Sequence, residues 1–315
     1  MNIVIMGLGA LGTTFATLLK QAGHKVFAIT KEKYLAALSD RKVGISGIWG
    51  DHEAVLDGIF ASIGLLNNEA IDIIILTVKS YDTEQAVAMI APLVKGNTVV
   101  ISAQNGYGNY ETVARTVGRE HALLARIIFG ARVVRPGRTE VTVIADKVRM
   151  GQPEGAIPEE VIVKIAAEID KAGVPTAYAS DVNEILWDKI LYNCALNPLG
   201  ALLECNYGCL AEHADTRVVM NSLIREIFAV ARAHSIKLHW AEADGYSTHF
   251  YEKLVPPTKE HYPSMYHDLK GGKKLEIDAL NGAIVRLGGE KGVHVPVNET
   301  ITRLIKAKEA ISSGK

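Results

Sequence analysis

Residues 2–12 read NIVIMGLGALG, and this stretch decides the first half of the fold. A short, mostly apolar segment typical of a buried strand runs directly into glycines at positions 7, 9 and 12, and a helical pattern continues to residue 22. A strand, a G-x-G-x-x-G turn and a helix in this order form the dinucleotide-binding fingerprint, whose glycines allow a tight turn and close approach of a pyrophosphate. A purely structural glycine turn is the alternative that the motif leaves open. The predicted cofactor contacts in this turn are Gly7, Leu8, Gly9, Ala10, Leu11 and Gly12.

Short apolar runs alternate with helical patterns in the rest of the first hundred residues. Such alternation is typical of a parallel sheet with crossover helices. The predicted strands are 2–6, 25–29, 59–63, 71–78 and 98–102, and the predicted helices include 10–22 and 83–93. Three further strand-like segments follow at 126–134, 139–144 and 147–150, and we expect them to extend the same sheet with antiparallel strands.

The pattern changes after residue 180, where helical periodicity becomes dominant. The predicted helical segments are 181–204, 214–235, 241–255, 273–288 and 297–310, and the proline-rich stretch 254–268 is predicted to be a loop. The sequence therefore predicts an α/β protein of two domains. A Rossmann-type dinucleotide-binding domain is expected over residues 1–180, and an all-helical domain over residues 181–315.

Composition and charge narrow the class of function. With 34 basic and 35 acidic side chains, the 315-residue chain is almost neutral, so it carries no footprint of a nucleic-acid or anionic-membrane binder. No segment offers the roughly 18 consecutive apolar residues that a membrane helix needs. The 3 cysteines lack a histidine pair at zinc spacing and fit a reducing compartment. We expect a cytoplasmic protein without a bound metal, whose partners include neither nucleic acid nor a membrane.

The end of the second predicted strand bears on the choice of cofactor. An NAD-binding domain usually carries an acidic residue there. In this chain the first polar residues after the strand are Thr30 and Lys31, which suit the 2′-phosphate of NADP. Glu32 follows at once, so an ordinary solvated lysine remains the alternative. Lys79 and Asn105 lie just past two further strand ends, where ligands bind in such sheets, although a surface lysine and a simple turn would give the same pattern.

One face of the predicted helix 181–204 carries polar side chains among apolar neighbours. Lys189, Asn193 and Asn197 recur at intervals of four residues, which places them one above another. We call these three residues the polar ladder. Burial of a lysine and two amides without partners would cost several kcal/mol, so the polar ladder is either satisfied internally or lines a cavity. We expect Pro198 to break or kink the helix directly after it.

A second mixed face is predicted in segment 273–288. Glu276 shares a stripe with Leu280, Ala283 and Leu287, so a carboxylate occupies the first position of an otherwise buried face. That position is consistent with a functional carboxylate. A first-turn glutamate that interacts favourably with the helix dipole is the simpler alternative, and the pattern alone does not separate the two.

Several of these motifs, in this order and at these spacings, resemble the ketopantoate reductase family. The matching segments are GLGALG at 7–12, TVKSYD at 77–82, QNG at 104–106, WDKILYNCALNPL at 187–199, PSMYHDLKGGKKLEIDALNG at 263–282 and VPVNETI at 295–301. The resemblance covers nearly the whole chain. It implies a Rossmann domain, a helical domain similar to the C-terminal domain of 6-phosphogluconate dehydrogenase, and an active site in the cleft between them.

The resemblance also implies a reaction, the reduction of 2-dehydropantoate to (R)-pantoate by NADPH in pantothenate and coenzyme A synthesis. Lys189 matches the family's catalytic lysine, which hydrogen-bonds the ketone and protonates the developing alkoxide. Residues that match substrate contacts are Asn105, Asn193, Asn197 and Ser264. Residues that match cofactor contacts outside the glycine turn are Lys31, Lys79, Asn105, Ala131 and Glu276, the last of which is also expected near the lysine.

One position departs from the family pattern. Family members often carry an asparagine just before the glycine of a Cys-x-x-Gly segment, whereas Tyr207 stands there in this chain and Asn206 lies one residue early. A bulky phenol would then replace an amide contact to the substrate. Two alternatives therefore stay open: an NADP(H)-dependent reductase of another 2-keto or hydroxy acid, and a regulator that senses NADP(H) without catalysis. The expected partner is a small 2-keto acid, and a homodimer is an open option.

Overall fold

The computed structural model describes residues 1–66 and 68–312. The chain forms two compact units, Met1–Asn183 and Glu184–Lys315. Position 67 and the last positions of the predicted second domain, 313–315, lie outside the described residues. The first unit combines sheets with helices, and the second is helical in its described part, so the predicted fold class is confirmed.

The first unit contains the strands and the first helices of the chain. The strands are β1 (Asn2–Met6), β2 (Lys25–Ile29), β3 (Lys42–Gly47), β4 (His52–Val55), β5 (Gly58–Phe60), β6 (Ile73–Leu76), β7 (Val99–Ser102), β8 (Ala122–Arg126), β9 (Phe129–Arg135), β10 (Arg138–Ile144), β11 (Val148–Gly151) and β12 (Thr176–Tyr178). The helices are α1 (Ala10–Gln21), α2 (Thr83–Ile90), α3 (Asn109–Val117) and α4 (Glu159–Lys171).

An eight-stranded sheet forms the centre of this unit, in the order β12-β11-β8-β7-β6-β1-β2-β5. The strands from β5 to β8 in that order are parallel, which is the arrangement of the Rossmann fold. Every residue of β6 and β7 is buried, as expected for strands covered on both faces. Because β1 lies between β2 and β6, the strand order reverses there, and ligands of such sheets bind at the carboxyl ends around this point.

The additional strands extend this sheet only in part. β11 pairs antiparallel with β8, and β12 runs parallel to β11. β9 and β10 instead join β3 and β4 in a separate four-stranded sheet, in the order β4-β3-β10-β9. The prediction of a single sheet was wrong because β3 contains glycines and β4 is short and begins with polar residues, so the distant partner of β10 was not recognisable as a strand.

The second unit is built from helices joined by turns. Its helices, of which the first begins just before the unit boundary, are α5 (Val182–Leu203), α6 (Tyr207–Glu212), α7 (Ala214–Ala233), α8 (Ala243–His249), α9 (Ser264–Lys270), α10 (Asn281–Lys291) and α11 (Pro296–Ser312). Among the described residues, no helix has both the length and the apolar character needed to span a membrane.

Two helical segments differ from their prediction. α9 begins inside the stretch 254–268 that was predicted to be a loop, because Pro263 precedes its first residue, a position where proline does not disturb a helix. The segment predicted as one helix over 273–288 becomes α-helical only at Asn281. Leu280 has φ and ψ values of −108° and −109°, outside the helical region, and therefore separates α10 from the residues before it.

Helix α5 runs through Pro198 and ends only at Leu203, so the predicted break after Asn197 is wrong, whereas a kink there stays a prediction. Proline has no backbone N–H, and residue 198 therefore leaves the Cys194 carbonyl without its intrahelical donor. The Asn281 Nδ2 group donates to that carbonyl at 3.1 Å. Because Asn281 is fully buried, its side chain replaces inside the protein the hydrogen bond that Pro198 removes.

A buried polar chain holds Asn281 in place. Its Nδ2 group also donates to Asn298 Oδ1 at 3.0 Å, and the Asn298 Nδ2 group donates to Glu226 Oε2 at 2.7 Å. The Glu226 carboxylate accepts two further hydrogen bonds, from the backbone N–H groups of Val297 and Asn298. It thereby caps the first turn of α11. Side chains of α7, α10 and α11 are thus linked in one network to α5.

Replacing Asn281 by Ala should lower the free energy of unfolding by about 2 to 4 kcal/mol, because the buried Cys194 carbonyl and Asn298 Oδ1 both lose a donor. Equilibrium urea unfolding measures this loss. Pro198→Ala provides the matched background, since it returns a backbone N–H to the Cys194 carbonyl. In the Pro198→Ala background, Asn281→Ala should lower the free energy of unfolding by about 1 kcal/mol less than in the wild-type protein. Equal costs in the two backgrounds would show that Asn281 does not compensate for Pro198.

Candidate active site

The turn between β1 and α1 has a geometry that requires its glycines. Gly7 has a φ of 106°, a value that side-chain-bearing residues rarely adopt. A Cβ atom on Gly12 would lie 1.8 Å from the Gly7 carbonyl oxygen, so no larger residue fits there. The Gly7 N–H donates to the Ile29 carbonyl at the end of β2, at 2.9 Å. These contacts hold the start of α1 close to the carboxyl ends of β1 and β2.

Gly9, the residue before α1, has open space beside it. A Cβ atom added there would meet no atom of the described residues within 4 Å, and its φ of −79° suits any residue. The first turn of α1, as far as the structure describes it, has no acidic side chain and no side-chain cap. The N–H groups and the positive end of the helix are therefore available to an anion. This arrangement fits the pyrophosphate of a dinucleotide.

Thr77 stabilises the glycine turn, a role that sequence analysis missed. Its Oγ1 hydroxyl donates to the Gly7 carbonyl at 2.7 Å, and its backbone N–H donates to the Met6 carbonyl at 3.0 Å. Thr77 directly follows β6, the neighbour of β1 in the sheet. The signal that could have identified it is a hydroxyl residue at the head of the TVKSYD segment, immediately after an apolar strand.

Lys31 lies just past the end of β2, where the sequence predicted a contact to a 2′-phosphate. Its Nζ atom is 2.9 Å from Asp82 Oδ2, which connects it to the TVKSYD segment, and 64% of its side chain is exposed. An exposed ion pair of this kind contributes only about 0 to 1 kcal/mol. Lys31 can therefore leave Asp82 for a doubly charged phosphate at little cost.

Lys79 and Asn105 follow the neighbouring strands β6 and β7, and a buried polar network lies beside Asn105. The Gln104 Nε2 group donates to Thr83 Oγ1 at 2.6 Å, and the Thr83 hydroxyl donates to Asn109 Oδ1 at 2.8 Å. The Asn109 Nδ2 group then donates to the Asn105 carbonyl at 2.8 Å. These bonds tie the loop after β7 to the first residues of α2 and α3. Thr83 and Asn109, which fix this loop, were not predicted from the sequence.

Ala131 belongs to the second sheet, unlike the other predicted cofactor contacts of the first unit. It belongs to β9 and is the register partner of Val141 in β10. It is half-buried and packs against the hydrophobic core of the unit, which also contains Phe129 and Phe15 of α1. The structure therefore gives Ala131 a packing role, and its contact with a cofactor stays a prediction.

In the second unit, α5 carries Lys189, Asn193 and Asn197 on successive turns. Lys189 and Asn193 are half-buried, and Asn197 is buried, with 6% of its surface exposed. Asn197 Oδ1 accepts a hydrogen bond from the Tyr207 phenol at 2.7 Å. The polar ladder is therefore satisfied internally at its last position. Asn206, which directly precedes Tyr207, caps α6 with its side chain.

Ser264 and Glu276 occupy other segments of the second unit. Ser264 is the first residue of α9 and is exposed. Glu276 is half-buried and precedes a short 3-10 turn at Ile277–Ala279, so it does not belong to α10. The predicted helical stripe that joined Glu276 to Leu280 and beyond is therefore wrong, because the backbone leaves the helical region at Leu280.

Three features define the class of this protein. They are the Rossmann-type strand order, the glycine turn that offers a helix N-terminus to a pyrophosphate, and the helical second unit with its polar ladder. They are typical of an oxidoreductase with a dinucleotide-binding domain.

Comparison with known proteins identifies the family within this class. A family model described as "Ketopantoate reductase PanE/ApbA" matches residues 3–155, and one described as "Ketopantoate reductase PanE/ApbA C terminal" matches residues 181–309. A 2-dehydropantoate 2-reductase of Aquifex aeolicus (strain VF5) is 46% identical over 309 residues, which are 98% of this chain and 97% of that protein. The chain belongs to the ketopantoate reductase family.

Solved structures agree with this fold. A D-mandelate dehydrogenase in a ternary structure with NADH and anilino(oxo)acetate has a TM-score of 0.88 and 26% identity, covering 99% of both chains. A PanE/ApbA family ketopantoate reductase from Ralstonia eutropha JMP134 has a TM-score of 0.87 and 27% identity, again covering 99% of both chains. These similarities confirm the predicted combination of a Rossmann-type sheet with a helical second part.

Two glycine substitutions separate folding from cofactor binding. Gly12→Ala should lower the melting temperature of the cofactor-free protein, because its Cβ would overlap the Gly7 carbonyl, whereas Gly9→Ala should leave it unchanged because its Cβ has space. Both should raise the Kd for NADPH, by about tenfold or more for Gly9→Ala, since a methyl group there blocks close approach of the pyrophosphate. Calorimetry and fluorescence titration provide the two readouts. Unchanged NADPH binding in Gly9→Ala would contradict a pyrophosphate site at α1.

Proposed function

We propose that this protein reduces 2-dehydropantoate (ketopantoate) to (R)-pantoate with NADPH, and that Lys189 is the proton donor. The observation that carries the proposal is the polar ladder on one uninterrupted helix, in a chain that is 46% identical to a named 2-dehydropantoate 2-reductase. An ammonium group and two amides supply what a 2-keto acid requires: a proton donor for its ketone and hydrogen bonds for its other polar groups. The product would enter pantothenate and coenzyme A synthesis.

The chemistry requires a hydride at the ketone carbon and a proton at the ketone oxygen. NADPH supplies the hydride when it is bound. The Lys189 ammonium group hydrogen-bonds the ketone oxygen and transfers a proton to it as negative charge develops there. Asn193, Asn197 and Ser264 bind the hydroxyl and carboxylate groups, and Asn105 contributes a further amide. Fixing the substrate at several points keeps the ketone beside the lysine, which lowers the entropic part of the barrier.

The residues that would hold NADPH lie mainly at the carboxyl ends of the parallel strands. The glycine turn and the start of α1 would bind the pyrophosphate, and Lys31 would pair with the 2′-phosphate. The other proposed contacts are Lys79, Asn105, Ala131 and Glu276. The preference for NADPH over NADH is based on Lys31, since an exposed cation at this position gains more from a phosphate than from a ribose hydroxyl.

A second candidate is a dehydrogenase of another 2-hydroxy acid. The observation that favours it is the similarity to D-mandelate dehydrogenase, whose solved structure contains NADH and anilino(oxo)acetate. A panel of 2-keto acids, including ketopantoate and the keto acid of mandelate, assayed with both NADPH and NADH separates the candidates by kcat/KM. Tight binding of NADPH without its oxidation by any member of the panel would instead support a nucleotide sensor.

Lys189→Ala should reduce kcat for ketopantoate reduction by about 100-fold or more, the usual scale for loss of a general acid. NADPH oxidation followed by absorbance measures the loss. Lys253→Ala is the matched control, because it removes an exposed lysine from the same unit, and it should retain the wild-type rate. A Lys189→Ala enzyme as active as the control would remove this residue from the mechanism.

Lys31→Ala should raise the KM for NADPH by about tenfold or more and leave the KM for NADH nearly unchanged, because only NADPH carries the 2′-phosphate. The loss of the Asp82 ion pair should have little effect on stability, since the Lys31 side chain is largely exposed. Asp82→Ala removes the same ion pair but keeps the cation, so it should retain the preference for NADPH. An equal increase of both KM values would contradict a phosphate-specific role.

A further inference from the structure

Tyr207 and Asn197 form a buried hydrogen-bonded pair. The Tyr207 phenol donates to Asn197 Oδ1 at 2.7 Å, and the two residues are 3% and 6% exposed, respectively. A polar group that is removed from water strongly favours the orientation that keeps its hydrogen bond, because an unsatisfied buried group is costly. In this structure the phenol engages the Oδ1 end of the Asn197 carboxamide.

The surroundings of Tyr207 leave its ring little freedom. The Tyr192 ring packs edge-on against it, with 5.7 Å between ring centroids. The backbone N–H of Tyr207 donates to the His261 carbonyl at 3.1 Å, and that of Gly208 donates to the Lys259 carbonyl at 2.8 Å. The start of α6 is thus attached to the segment before α9. A phenol held in this way provides a fixed reference for the orientation of Asn197.

The phenol also stays protonated. Burial raises the pKa of Tyr207 well above its usual value, and the nearby Tyr192 raises it further. At neutral pH the group is therefore an O–H that can donate to a carboxamide oxygen.

We propose that Tyr207 is a positioning residue: by occupying Oδ1 of Asn197, it makes that asparagine meet the substrate with its Nδ2 donors. This inference rests on the proposed function, which places Asn197 at the substrate. An Nδ2 group donates to acceptors, such as the oxygens of a carboxylate, and cannot accept a hydrogen bond from a hydroxyl O–H. The pair thus selects substrates that present an acceptor at this position, and Tyr207 acts through Asn197 because its own surface is buried.

Tyr207→Phe tests the proposal, since it retains the ring and removes only the O–H. The KM for ketopantoate should rise about tenfold, while kcat and the KM for NADPH stay within about twofold. In an Asn197→Ala background the same substitution should have no further effect, because the group that it orients is absent. Tyr251→Phe is the matched control: it removes a phenol that donates to Asn221 Oδ1 at 3.0 Å in the same unit, and it should leave the KM for ketopantoate unchanged.

Asn197→Asp is an independent test that leaves Tyr207 intact. A carboxylate still accepts from the phenol but offers no donor, so the KM for ketopantoate should rise by about tenfold or more. A wild-type KM for ketopantoate in either Tyr207→Phe or Asn197→Asp would overturn the proposal. It would also be overturned if Tyr207→Phe raised this KM equally in the wild-type and Asn197→Ala backgrounds. Those results would leave the proposed function intact as long as the wild-type protein reduces ketopantoate. A wild-type protein that reduces no 2-keto acid would overturn both.

Discussion

The hydrogen bond from Asn281 to the Cys194 carbonyl is the interaction on which the helical unit depends. Pro198 removes the normal donor for that carbonyl, and a buried carbonyl without a donor would favour a break in α5. With Asn281 in place, α5 continues to Leu203 and forms a continuous support for the polar ladder. The proline therefore makes α5 depend on α10. The Asn298 and Glu226 side chains extend this dependence to α11 and α7.

In the first unit the corresponding constraint is close approach of backbone segments. Gly12 lies so near the Gly7 carbonyl that no side chain fits, and the Thr77 hydroxyl binds the same carbonyl. The start of α1 is thereby held at the point where the strand order reverses. Gly9 differs from the other two glycines because the space beside it is open. One motif thus contains glycines required for packing and a glycine that suits a ligand.

Two predicted site residues have side-chain partners, and the two interactions differ in strength and in consequence. One is an ion pair and the other is a hydrogen bond. Lys31 of the Lys31–Asp82 pair is largely exposed, so the pair can open for a phosphate at little cost. The Tyr207–Asn197 pair is buried, so it persists and sets the direction of an amide. The weak ion pair therefore leaves the Lys31 cation available to a ligand, whereas the buried hydrogen bond orients the Asn197 amide before a ligand binds. Advance orientation is what a binding site needs for selectivity.

The sequence by itself determined the Rossmann-type first half, the helical second half, the glycine turn and the polar ladder, because glycine spacing, apolar alternation and a four-residue repeat are local properties of a chain. Ser264 and Ala131 were implied as site residues only by the family resemblance. It did not determine that β10 pairs with β3, that Asn281 replaces the donor that Pro198 removes, or that Tyr207 binds Asn197. The first two depend on partners far apart in the chain, the third joins one helix to the next, and no local pattern records any of them. Only the tertiary structure decided them, because a buried polar group must find its partner wherever the fold brings one.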